Sequence, residues 1–350
     1  LENILKNKYF QLMQKLLQKI FRPFFIWLAN RFGSDPKKED VFKSLGKLYN
    51  TIITKKRRSG MVLDINLATD NFIIFSDQHK GNKDWADDFK TNEHNYITAL
   101  QHYHQQGFHF INLGDAEELW KYTPDQVIPQ NQEALQAEAN FKTDNKYYRT
   151  FGNHDLLWKS NLDVQLHLKN IFQMPLPVYE GIVLRTFTTS GKKLNIFLTH
   201  GHQGDKMSDN NRFSTWIVAH IWSPIQRFLE ININTPANDF YLRDKHNKLM
   251  YEWSSRKKNM LLITGHTHKP VFASGKYAID KEHGINVIET TGTLKPGYFN
   301  SGCCCFNDGD ITGIEIASGF IRLVKWHSEN NIPARTVLEE KKLDEIEQEL

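Results

Sequence analysis

Short clusters of His, Asp, Asn and Gly stand at five places in this chain: Asp77-Gln78-His79, Gly114-Asp115, Gly152-Asn153-His154-Asp155, His200-Gly201-His202 and Gly265-His266-Thr267-His268. Together they offer Asp77, His79, Asp115, Asn153, His200, His266 and His268, which is two carboxylates, one amide oxygen and four imidazoles. A mixed nitrogen and oxygen set of this kind suits Mn, Fe or Zn and is too rich in His for Ca or Mg alone. Seven donors are too many for one tetrahedral ion and match two ions that share a carboxylate. Ions paired about 3.5–4 Å apart can share a hydroxide and stabilise an in-line displacement at phosphorus.

Such chemistry needs elements that bring distant residues together. Each cluster directly follows a short apolar run: Phe72 to Phe75, Phe110 to Leu113, Tyr147 to Phe151, Leu194 to Thr199 and Leu261 to Thr264. These read as buried strands handing over to loops, with helical stretches between them. In α/β sheets, sites gather at the carboxyl ends of strands. Other polar residues carry less. His94, His102, His104 and His109 lie on or beside a helix-like segment and read as ordinary hydrogen-bonded residues. His202 is open between facing a substrate and capping its loop. Glu117 and Glu118 are open between partners of metal-bound His residues and solvated acids at a helix start. Trp120 reads as packing, and Asn82 and Lys83 could meet a phosphate.

The remaining chain elaborates this centre. Residues 1–34 alternate large apolar side chains with Lys6, Lys8, Lys15 and Lys19, an amphipathic basic pattern broken at Pro23. A helix of that kind can lie in a membrane interface or pack on the protein body. The run Lys55 to Arg58 reads as a solvated connector, and residues 1–70 as an N-terminal extension. A catalytic domain is expected over 71–327. Within it, 205–258 is too long for a loop and reads as a helical cap, with an aromatic stripe from Phe213 to Phe228. Strand-like runs follow at Val287 to Thr291, Cys303 to Phe306, Ile311 to Ile316 and Phe320 to Trp326, suggesting a second, largely antiparallel sheet. Residues 328–350 read as a charged tail.

The bulk numbers fit a globular protein: 350 residues, 40% hydrophobic and 24% charged. A net charge of +4 does not by itself argue for nucleic acid. The three cysteines, Cys303, Cys304 and Cys305, are adjacent, so they cannot form a disulfide framework. They read as buried core thiols in a reducing, cytoplasmic compartment, with peripheral contact at the inner face of a membrane as an addition. No stretch has the length of a membrane-spanning helix or the pattern of a signal peptide.

The five blocks, in this order, resemble the calcineurin-like metallophosphoesterase superfamily, and the match runs from Asp77 to His268. The fold expected is α/β: two packed mixed β-sheets flanked by helices, a four-layer sandwich. The resemblance implies that Asp77, His79 and His268 hold one metal, that Asn153, His200 and His266 hold the other, and that Asp115 bridges them. Mn is the first expectation for the two divalent ions, with Fe or Zn as alternatives. A metal-bound hydroxide would then attack phosphorus, His154 would contact the phosphate and protonate the leaving oxygen, and Asp155 would orient His154. Gly114-Asp115-Ala116-Glu117-Glu118-Leu119-Trp120 and the helical insert resemble the UDP-2,3-diacylglucosamine hydrolase branch, a lipid-directed pyrophosphatase. His154 departs from that branch, which commonly has Arg there, and so does the N-terminal extension. The substrate expected is a phosphorylated small molecule or lipid-like diester, pyrophosphate or monoester. A serine/threonine-type protein phosphatase is the alternative.

Overall fold

The structure is a computed structural model. It describes residues 36–54, 59–204, 240–272, 295–330 and 332–350, a few positions between 15 and 23, and, of 240–244, the backbone alone. The amphipathic stretch 1–34 lies almost entirely outside the described residues. So do the connector 55–58, most of the cap at 205–239, and the run Val287 to Thr291.

Among the described residues the strands form two mixed sheets. The first holds β1 (Gly60–Asp64), β6 (Gly181–Phe187), β7 (Lys193–Thr199), β8 (Met260–Thr264) and β9 (Tyr298–Asn300), in the order β1-β6-β7-β8-β9. Only the β6–β7 pair is antiparallel. The second holds β2 (Phe72–Phe75), β3 (His109–Leu113), β4 (Tyr147–Thr150), β5 (Val178–Tyr179), β10 (Ile311–Ala317), β11 (Phe320–Glu329) and β12 (Ile332–Lys342), in the order β12-β11-β10-β2-β3-β4-β5. Its β2–β5 half is parallel, and β10, β11 and β12 join antiparallel.

The period of two along each strand explains the layering. In β2, Phe72 and Ile74 enter the core between the sheets, while Ile73 and Phe75 enter the core under the helices. In β8, Leu261 and Ile263 face the other sheet, while Met260 and Leu262 face outward to helices. Strands buried on both faces must read as continuous apolar runs, and Phe-Ile-Ile-Phe in β2 does so. The helix α1 (Lys38–Ile53) covers the first sheet with Val41, Leu45, Leu48 and Ile52, an i, i+4, i+7, i+11 stripe. The second sheet is covered by α2 (Glu93–Gln105), α3 (Gln132–Thr143) and α4 (Asn161–Phe172). Part of the expected cap is helical, as α5 (Phe240–Ser255), and it packs beside α1 through Met250 and Trp253. No helix among the described residues is long and apolar enough to cross a membrane.

Four expectations are corrected. The 1–70 extension is not separate from the sandwich, because α1 and β1 are parts of its first sheet and outer layer. The strands after His268 do not make a sheet of their own: β10 pairs with β2 and extends the parallel half. Cys303 to Phe306 is loop, because Gly302 takes a positive φ of 74° and turns the chain away from β9. Finally, 328–350 is no tail. Its charged residues lie on β11, β12 and the helix that follows them, and they pair across the sheet, as where Arg322 meets Glu340 at 2.9 Å. The apolar Leu343, Ile346 and Leu350 of and beyond α6 (Leu343–Glu349) close the inter-sheet core.

Candidate metal centre

The carboxyl ends of β2, β3, β4, β7 and β8 converge, and their loops carry the five clusters. The seven residues singled out by type and spacing meet there. His268 Nε2 lies 3.3 Å from Asp77 Oδ1 and 3.1 Å from His79 Nε2. His79 Nε2 lies 3.7 Å from Asp115 Oδ2. On the other side of Asp115, His200 Nε2 is 3.1 Å from the same Oδ2 and 3.2 Å from Asn153 Oδ1. His266 joins Asp115 and His200 with donor atoms all within 4.8 Å of one another. Asp115 therefore stands between the two groups, a position that a shared carboxylate requires.

The backbone is bent to bring the donors inward. Asp77, His79, Asp115, His266 and His268 have φ between 50° and 69°. This left-handed region costs non-glycine residues about 1–3 kcal/mol each and persists only where the surroundings enforce it. Hydrogen bonds between loops do so here. Asp77 N donates to Gly114 O at 3.1 Å, His79 N to Asp115 O at 3.0 Å, and His266 N to Asp77 Oδ2 at 2.9 Å. Two glycines of the clusters have a steric reason. A Cβ on Gly152 would collide with Asp115 Oδ1, and one on Gly265 with Ser76 Oγ and Asp77 Oδ2.

Asp77, His79, Asp115, Asn153, His200 and His266 are buried, and the ionisable ones among them shift one another's protonation. Burial opposes a charged His200, but Asp115 and Asp77 outweigh it and push its pKa up to about 9. Burial also opposes ionisation of Asp115, yet His200 and His154 hold it well below the usual carboxylate range. His266 is driven well below the usual imidazole value by burial and by the neighbouring His200 and His246. Imidazole nitrogens and carboxylate oxygens face one another here away from solvent, the donor atoms of Asp77, His79 and Asp115 and those of Asp115, His200 and His266 lying within 4.8 Å of one another. That donor chemistry fits divalent cations.

The carboxylate beside His154 differs from the expectation. Glu118 Oε1 lies 2.8 Å from His154 Nδ1, and Glu118 Oε2 lies 3.1 Å from His79 Nδ1. Asp155 instead accepts from Gly152 N at 2.6 Å, Ala116 N at 3.0 Å, Asp115 N at 3.3 Å and Arg149 at 3.4 Å. Asp155 thus clamps the loops after β3 and β4, and the role of orienting His154 passes to Glu118. Burial disfavours a charged His154, but Glu118 and Asp115 raise its pKa above the ordinary imidazole value. The indole of Trp120 stacks on the other face of the ring, centroids 3.8 Å apart and 21° from parallel.

Both open acids are buried. Glu117 pairs with Arg149 and accepts from Trp158 Nε1 at 2.7 Å. His202 is buried beside His200, with ring centroids 5.5 Å apart. Lys83 pairs with Glu93 at 2.9 Å. His104 pairs with Asp144 at 2.9 Å and His109 stacks on Phe72, as expected for residues outside the site.

The end of β9 and the loop that follows it form a sixth contributor that the sequence patterns did not reveal. Asn300 Nδ2 donates to Gly265 O at 2.7 Å, Ser301 Oγ meets Ser76 Oγ at 2.7 Å, and Cys304 N donates to Asp77 O at 3.1 Å. Cys305 Sγ reaches His268 Nδ1 at 3.6 Å. From α5, His246 Nε2 lies 2.6 Å from Gly201 O, and Asn247 Oδ1 accepts from Thr267 at 3.1 Å. The cysteine run was the available signal, but its strand-like look pointed to core packing.

No curated protein matches the chain. Among solved structures, vacuolar protein sorting 29 from Cryptosporidium parvum is similar over 78% of this chain and 98% of that one, at 13% identity and a TM-score of 0.32. A single mutant of Vps29 from Entamoeba histolytica is similar over 77% of this chain and 99% of its own, at 12% identity and a TM-score of 0.29. The calcineurin-like phosphoesterase profile matches residues 71–270, more than half of the chain and all five clusters, and the chain belongs to that family.

Proposed function

We propose that this protein hydrolyses phosphate esters or anhydrides with the help of two divalent cations. Asp77, His79 and His268 would hold one cation, Asn153, His200 and His266 the other, and Asp115 both. The observation that carries the reading is the completeness of the donor set: seven residues from five loops meet, with Asp115 between two groups of three and no position lost. Cations bound there would acidify water and neutralise the charge of the phosphoryl oxygens.

The chain's own groups supply the remaining chemistry. Glu118 and Asp115 favour the protonated form of His154, which suits it to give a proton to the departing oxygen. Glu118 fixes Nδ1 as the donor toward itself, which leaves Nε2 of His154 as the other proton carrier. Trp120 holds the ring in plane. Burial of the surrounding carboxylates strengthens each of these interactions relative to water.

A hydrolysis screen on protein loaded with Mn or Zn tests the reading. It compares monoesters, diesters, nucleotide-sugar pyrophosphates and phosphopeptides, with Asp115→Ala as the blank. Turnover of any class that vanishes in the variant supports it. Protein that takes up two ions and turns over none of the four classes contradicts it.

A further inference from the structure

Three histidines of the centre show what their second ring nitrogen meets, and each meets something different. His79 Nδ1 faces the carboxylate of Glu118 at 3.1 Å, and His200 Nδ1 faces the carbonyl of Leu113 at 2.9 Å. His268 Nδ1 faces the sulfur of Cys305 at 3.6 Å. The Nε2 of His268 is the nitrogen turned inward, 3.3 Å from Asp77 and 3.1 Å from His79. An imidazole can give Nε2 to a cation only if its proton sits on Nδ1, and that proton needs an acceptor. Cys305 is buried, and its loop is pinned on both sides. Cys304 N donates to Asp77 O at 3.1 Å, and Thr312 N donates to Cys303 O at 3.0 Å. The sulfur is therefore held in place by the same loop that closes over Asp77.

We propose that Cys305 is the positioning residue of His268: its sulfur accepts the Nδ1 proton and so presents Nε2 to the cation shared with Asp77 and His79. This rests on the two-cation reading above. Sulfur is a weak acceptor beside a carboxylate or carbonyl, so this corner of the centre is held more softly than those at His79 and His200. Cys304 serves as the internal control, because it is also buried but packs in the core under the helices.

The test uses Cys305→Ala, Cys305→Ser and Cys304→Ser in the full chain, with two readouts. The first is competitive Mn or Zn titration. Cys305→Ala should weaken one of the two ions by about 10–100-fold, the usual effect of losing such a partner. Cys305→Ser, which keeps an acceptor, should recover part of it, and Cys304→Ser should change neither ion. The second readout needs no metal. In 15N-histidine spectra of the metal-free protein, the Nδ1 proton of His268 should exchange slowly in the wild type and in Cys305→Ser, and be lost to solvent exchange in Cys305→Ala. Equal affinities in all variants overturn the proposal while leaving the two-cation reading intact. So does an Nδ1 proton indifferent to Cys305. A wild type that binds no ion but keeps the Cys305-dependent proton overturns the two-cation reading and leaves the hydrogen bond standing.

Discussion

The Nδ1 of His154 lies 2.8 Å from Oε1 of Glu118, and the second oxygen of that carboxylate is engaged by another histidine, His79, at 3.1 Å. One buried side chain thus ties the candidate acid to a candidate metal ligand. A carboxylate accepts from the two rings with separate oxygens, whereas a glutamine would turn its NH2 donor toward one of them.

Glu118→Gln should therefore lower turnover by about 10²–10⁴-fold, the range of a lost acid–base contribution. Its pH profile should move as well. Glu118 raises the pKa of His154, so the variant should lose activity at lower pH as the acid deprotonates earlier. A variant with an unshifted basic limb would show that Glu118 does not act through His154.

His154→Ala separates the acid from the metals. The ions should remain, and turnover should fall by about 10²–10⁴-fold for substrates whose leaving group needs a proton. For nitrophenolate, which leaves without one, the loss should be much smaller. Steady-state rates on a pair of good and poor leaving groups decide this, and equal losses on both would remove His154 from the acid role.

Much of the candidate centre is legible in the sequence. The strand periods and the five polar clusters are local signals, and Asp77, Asp115, Asn153 and the histidines announce themselves by type. Partners fixed by tertiary packing were not legible. Glu117 and Glu118 are adjacent acids in sequence, yet one faces Arg149 and the other faces His79 and His154. Nothing local distinguishes them. The family resemblance likewise implied that Asp155 orients His154, but the turn aims Asp155 at backbone amides. In β12, a high charge density read as tail because an exposed edge strand carries the same composition as a solvated one.

Metal uptake should depend on pH with a definite sign. In the metal-free protein, Asp115 and Asp77 push the pKa of His200 up to about 9. Below that value the ring binds a proton that a cation must displace, so affinity should fall by about tenfold per pH unit for each proton released. Above it, this dependence should level off. Calorimetric titrations in buffers of different ionisation enthalpy measure the proton count, and uptake without proton release would contradict the assignment of His200.

The last prediction concerns the charges beneath the centre. Arg149 is fully buried and pairs with Glu117 and, at 3.4 Å, with Asp155. Lys80, also fully buried, lies 2.7 Å from Glu138 and 3.5 Å from Glu117. The same residues join the loops that carry the ligands: Lys80 N donates to Ala116 O at 3.0 Å, and Glu118 N to Lys80 O at 3.0 Å. Arg149→Met keeps the volume but leaves Glu117 and Asp155 facing a deficit of positive charge. Removing one partner of such a buried pair costs about 3–5 kcal/mol, so denaturant unfolding should show a loss of that order. The double variant Arg149→Met with Glu117→Gln should be less destabilised than the sum of its parts, since it buries one uncompensated charge fewer. Because Asp155 clamps the amides of Asp115 and Ala116, the single variant should also bind metal more weakly. An Arg149→Met protein within about 1 kcal/mol of the wild type, with unchanged metal affinity, would show that the buried pairs neither hold the fold nor brace the site.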